Sequence, residues 1–127
     1  MISFRPELAE AVMAGRKTVT RRLVNTDNPR SHWHRNQVAK LTGKSVAVCP
    51  GRGKHQIGRV TVTAVERDLF YPASITDIEA RREGFDSAEA FVATWKKLHK
   101  GSVLPVYVWR VELAEPVRAE RGGASDG

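Results

Sequence analysis

Gly15-Arg-Lys-Thr-Val-Thr-Arg-Arg22 marks the point where a helical pattern gives way to a strand pattern, and it gathers cations and hydroxyls at that junction. Upstream, Pro6-Glu-Leu-Ala-Glu-Ala-Val-Met-Ala14 has a proline suited to a first helical turn and an acid early. Its Leu8, Ala11 and Val12 recur at helical spacing, and Gly15 is placed as the C-terminal cap. From Thr18 the pattern becomes β-branched alternation. That predicts a strand with Thr18, Thr20 and Arg22 on one face and Val19, Arg21 and Leu23 on the other. Two hydroxyls and a guanidinium then share a surface suited to a negative or polar ligand.

The charge around this stretch is segregated. Between Arg16 and Arg59 there are 11 Lys and Arg against one acid, Asp27, although the whole chain carries only +7. A one-sided basic surface of this kind attracts polyanions, with salt-sensitive affinity. A length of 127 residues fits one compact domain. No apolar run approaches the roughly 20 residues of a membrane helix, and the N-terminus lacks the plan of a signal peptide, so a cytoplasmic location with no membrane partner is expected. The single cysteine, Cys49, excludes an internal disulfide framework and ends a strand-like Val46-Ala-Val-Cys49 run.

Farther along, Asn25 to Gly43 is polar, contains Pro29 and shows no sustained period, so it reads as a long connection of the kind that often carries function. Arg30, Trp33 and Arg35 within it are candidates for stacking a base and meeting phosphates. His32-x-His34 lacks a placed carboxylate or thiol, and neither a metal nor a cofactor is expected. Strands are predicted at Ser45–Cys49, Ile57–Val65 and Val106–Leu113. Between the first two, Pro50-Gly-Arg-Gly-Lys-His55 departs from a phosphate-binding loop and reads as a hairpin turn that adds Arg52 and Lys54 to the basic surface.

Thr76-Asp-Ile-Glu79 and Asp86-Ser-Ala-Glu89 are capping-box patterns that open two helices, the first closed by Gly84. Phe91, Val92, Trp95 and Leu98 fall on one face of the second and predict core packing. Glu83, beside the cap glycine, reads on its own as a surface acid that the turn could aim into a cleft. The segment 118–127, rich in small and charged residues, is expected to be a flexible tail after a domain spanning 1–117.

Three pieces taken together resemble an ASCH domain: Gly15-x-Lys17-x-x-x-x-Arg22 after an N-terminal helix, Glu83-Gly-Phe-Asp-Ser-Ala-Glu-Ala-Phe91, and Val106-Tyr-Val-Trp-Arg-Val111. The resemblance spans roughly Phe4 to Leu113. It implies an α+β fold, a small PUA-like β-barrel with flanking helices, and a cleft suited to RNA or a modified nucleoside. Many ASCH proteins carry an acid where this chain has Thr20. In this the chain is similar to the branch that deacetylates N4-acetylcytidine, whose catalytic lysine, threonine and glutamate would fall on Lys17, Thr20 and Glu83.

Two functions follow. One is RNA binding by Arg16, Lys17, Arg21, Arg22, Arg30, Trp33, Arg35, Arg52 and Lys54, which the segregated charge favours. The other is amide hydrolysis, with Thr20 as nucleophile, Lys17 as a base made neutral by neighbouring cations, and Glu83 as proton donor. Lys17 and Thr20 have opposite strand parity, so they converge only if Lys17 lies in the turn before the strand. Ribonuclease activity is a further alternative, permitted by the four histidines. The expected partner is RNA or a nucleoside, bound by a monomer.

Overall fold

In a computed structural model, described for residues 1–119, the chain forms a five-stranded mixed sheet with four α-helices. In chain order the elements are β1 (Ile2–Ser3), α1 (Pro6–Met13), β2 (Val19–Leu23), α2 (Arg35–Val38), β3 (Ser45–Cys49), β4 (Gly58–Phe70), α3 (Asp77–Arg82), α4 (Ala88–Leu98) and β5 (Val106–Arg118). The strand order is β1-β3-β4-β5-β2. Only the β1–β3 pair is parallel. Two register shifts along β4–β5 mark bulges, the usual means of bending a long antiparallel pair. The sheet curls until its two outer strands approach, and Arg22 on β2 spans the gap by donating Nη2–H to the Ser3 carbonyl of β1 at 2.9 Å.

Local chemistry accounts for the helix boundaries. Pro6 starts α1, and Gly15, at φ +78°, ends it. The amides of Arg16 and Lys17 then return to the Ala11 carbonyl at 2.9 and 3.0 Å, which fixes Lys17 in the turn before β2. Thr76 caps α3 as its box pattern predicts, accepting from the Glu79 amide. The cap of α4 is Ser87, one residue later than the capping-box pattern gives, because Ser87 accepts from the Ala90 amide. The long connection after β2 holds one turn of helix, α2, capped by the His34 ring. β4 and β5 run beyond their predicted ends. β5 continues through Arg118, which bonds Glu10 at 2.7 Å, and the Ala119 amide donates to the Ile57 carbonyl at 3.0 Å, so the chain pairs into the expected tail; residues 120–127 lie outside the described residues.

The apolar interior has two parts. One packs Ala9 and Val12 of α1 against Val46, Val48, Val60, Val62, Val111 and Leu113 of the sheet. The other joins Phe70 and Val108 to Ala80, Phe91 and Trp95 of the helical pair. Burying each large side chain contributes roughly 1.5–3 kcal/mol before conformational entropy is deducted. Leu98, predicted as core, is 65 % exposed because α4 ends there and its last turn overhangs the edge of this second part.

Candidate functional site

Between the two apolar parts lies a cleft of about 510 Å³, within the roughly 300–1,000 Å³ common for small-molecule sites. Its walls are aromatic and aliphatic: Phe4 and Leu8 from the α1 side, Phe85, Phe91, Trp95 and Leu98 from the α4 side. Its polar residues include Lys17, Thr20, Arg22 and Glu83. An apolar slot with a few converging polar groups is the usual form of a site for a flat organic ligand.

Lys17 reaches the cleft from the turn that Gly15 creates, and this resolves its parity conflict with Thr20. Its ammonium donates to the Val19 carbonyl at 2.8 Å, the Glu83 carbonyl at 2.8 Å and Glu83 Oε1 at 2.9 Å. An ammonium has three protons and no acceptor, so this set is complete. The α3 terminus explains the attraction. Its last carbonyls carry the negative end of the helix dipole, and the Thr18 amide takes the neighbouring Arg82 carbonyl at 2.7 Å. Burial is the largest influence on Lys17 and pushes its pKa below the ordinary 10.5; Glu83 opposes that, while Arg22 and Arg21 add smaller downward contributions. Neighbouring cations, the cause expected from the sequence, are thus secondary to burial.

Glu83 is 4 % exposed rather than a surface acid. Gly84, at φ +95°, turns the chain directly after it, and a Cβ there would lie 3.2 Å from Leu8 and 3.3 Å from Lys17. Both carboxylate oxygens are occupied, Oε1 by Lys17 and Oε2 by Arg21 Nη1 at 2.8 Å. Held between these two donors, the side chain is placed to orient Lys17.

Thr20 Oγ1 accepts from Arg22 Nε at 3.1 Å. The guanidinium carbon of Arg22 lies 4.9 Å from the Phe4 ring centre and 5.4 Å from that of Trp33. Trp33 is half-buried against the core. Its carbonyl is pinned by Trp109 Nε1 at 2.6 Å and the Asn25 amide at 3.0 Å. The loop after β2 therefore presents a fixed shelf beside Arg22.

The residues expected to hold RNA do not form one surface. Arg21 is buried between Glu79 and Glu83 on the opposite face of β2. Arg16 lies with Arg81 and Asp86 at a separate depression, and Arg35 lines another with His34 and Trp109. Arg30 and Lys54 are exposed. Arg52, by contrast, lines both the main cleft and an adjoining cavity of about 420 Å³ that includes Asn25, Asn28, His32 and Trp33; Ser3 and Arg22 are also shared.

The sequence reading missed the aromatic walls as ligand-facing, although Phe91 and Trp95 were visible as an apolar stripe. It missed Glu79 and Arg110 too, since Arg110 is 31 positions from the carboxylate that it bonds. Helical spacing identifies an apolar face; whether that face is sealed depends on what packs against it.

No family model and no curated protein matches the chain. Among solved structures, the ASCH protein of Zymomonas mobilis superposes with a TM-score of 0.50 at 19 % identity, over 92 % of this chain and 71 % of that one. A mutant of the same protein gives 0.52 at 18 %, over 92 % and 73 %. Protein EF3133 of Enterococcus faecalis V583, of the DUF984 family model, gives 0.56 at 17 %, over 87 % and 70 %. With its curled five-stranded sheet, flanking helices and cleft, the chain has the α+β, PUA-like fold of the ASCH proteins.

Proposed function

We propose that the cleft binds one nucleoside and hydrolyses an amide on its base, with N4-acetylcytidine as the model substrate. The observation that carries this reading is the convergence on one aromatic-walled cavity of Lys17 and Thr20 from one stretch of the sequence and Glu83 from another, 66 positions beyond Lys17. A planar base fits between apolar walls, and its acyl carbonyl would face the polar residues. Thr20 Oγ attacks the carbonyl carbon while Lys17, in its neutral form, accepts the hydroxyl proton. The C–N bond breaks as that proton passes to the departing amine, leaving cytidine and an acetyl ester on Thr20; water then hydrolyses the ester to acetate. Arg22, on Thr20 Oγ1, favours negative charge at the attacking oxygen. Glu83 aligns Lys17.

Because Lys17 must lose a proton from a fully bonded ammonium, turnover should rise with pH. The test is chromatographic assay of N4-acetylcytidine with wild type, Lys17→Ala and Thr20→Ala. Both variants are expected to lose at least 100-fold, in line with the roughly 10²–10⁴-fold contribution of a positioned base. No cytidine release by wild type, or equal release by the variants, would remove the hydrolytic reading.

A second reading, RNA binding, is favoured by the two cavities joined at Ser3, Arg22 and Arg52. A base in the main cleft would leave its chain neighbour beside Trp33. The two readings are compatible, since a cleft that admits a cytidine within RNA can also process one.

A further inference from the structure

Behind the cleft, alternating charges run from its polar floor toward solvent. Glu83 bonds Lys17 with one oxygen and Arg21 with the other. Arg21 Nη2 continues to Glu79 at 2.5 Å, and Glu79 also takes Arg82 Nη1 at 2.8 Å and Arg110 Nε at 3.1 Å. Arg110 then meets Glu112 at 2.5 Å. Side-chain exposure is 2 % at Lys17, 6 % at Arg21, 22 % at Glu79, 14 % at Arg110 and 45 % at Glu112, so the buried end lies at the cleft and the outer end in solvent.

The arrangement is a poor choice if only stability were at stake. Apolar residues of similar volume commonly fill such a space as well as buried ions do or better. Arg21 stacks on Phe70 at 4.8 Å, and its Nε has no hydrogen-bond partner. Two carboxylates hold the guanidinium, and one of them is the carboxylate that orients Lys17.

We infer that Arg21 and Glu79 are positioning residues for the cleft, and that from behind the sheet they set how readily Lys17 releases a proton. Charges sharing a low-dielectric region act on one another without contact, and their signs predict opposite effects. Removing the positive Arg21 favours the Lys17 ammonium; removing the negative Glu79 disfavours it. The other charged groups around the pair are Arg22 on β2, Arg82 at the end of α3, Arg110 and Glu112 on β5, and Arg5 and Arg52 lining the cleft. The inference rests on the hydrolytic reading only in taking from it that Lys17 changes charge.

The test follows the ¹³Cε shift of Lys17 against pH in ¹³C-lysine protein, assigned by its loss in Lys17→Met. Wild type, Arg21→Gln and Glu79→Gln are compared after thermal melting shows which are folded. The Lys17 midpoint is expected to move up in Arg21→Gln and down in Glu79→Gln, each on the order of one pH unit. The alkaline rise of kcat/KM on N4-acetylcytidine should move with it. Midpoints that stay in place, or move the same way in both variants, overturn the inference even if the enzyme is active. Opposite movements support it even where no variant turns over substrate, and then the hydrolytic reading alone falls. Should Arg21→Gln not fold, the downward shift in Glu79→Gln decides.

Discussion

At Lys17 a buried charge meets a complete set of acceptors, and the balance between burial and those acceptors determines how pH acts on the fold. Burial wins, so the folded-state pKa lies below the ordinary 10.5. Between the folded value and 10.5 the unfolded chain binds more protons than the folded one, and stability contributed at this site rises with pH across that window. The stability difference between wild type and Lys17→Met, from urea unfolding at successive alkaline pH values, should shift toward wild type at no more than about 1.4 kcal/mol per pH unit. A difference that falls or stays level would mean that Lys17 is not depressed. Glu79 acts in the same sense in a lower window. Burial pushes its pKa up, but hydrogen bonds from Arg21 and Arg110 outweigh that and hold it below 4.5, so its contribution is lost as pH falls through the folded value.

Among the elements, the turn closing α3 has more to do than end a helix. Gly84 aims the Glu83 carbonyl and carboxylate at Lys17, and Leu8 and Lys17 fill the space that a Cβ would need. Gly15 has a similar left-handed backbone at the end of α1, with nothing within 4 Å of its Cβ position. The pair separates backbone cost from crowding. Gly15→Ala should lose about 1 kcal/mol, the cost of a side chain at positive φ, while Gly84→Ala should lose about 2–4 kcal/mol, as overpacking adds roughly 1–3 kcal/mol. Thermal unfolding of the two variants measures the difference. Equal losses would show that Leu8 and Lys17 yield freely.

Over the whole molecule the basic segment divides in two. Of its 11 cations, Lys17, Arg21 and Arg22 are drawn into the cleft and the ion chain behind it, while the other eight are exposed on several faces. A bound RNA strand can therefore meet only part of the apparent charge. Anisotropy titrations of a short single-stranded RNA should give a log–log salt slope near −3, the value for about four phosphates at roughly −0.7 each. A slope of about −6 would mean that the eight exposed cations act as one surface, and a flat response would remove polyanion binding.

The sequence by itself determined what depends on near neighbours along the chain. Gly15 ended α1, Thr76 capped α3, alternation from Thr18 gave β2 its two faces, and strands β3, β4 and β5 were located, because caps, turns and periodicity are local properties of the backbone. The resemblance carried by Gly15-x-Lys17-x-x-x-x-Arg22, Glu83 to Phe91 and Val106 to Val111 anticipated the fold. Whether Glu83 faced water or Lys17, whether Trp33 was free or pinned, and which arginines remained exposed were decided by tertiary structure. Lys17 and Glu83 are 66 positions apart, and a pair so distant acquires its environment only when two apolar clusters close around it. Burial, which sets the strength of a charge interaction, belongs to the packed molecule and not to any segment of its chain.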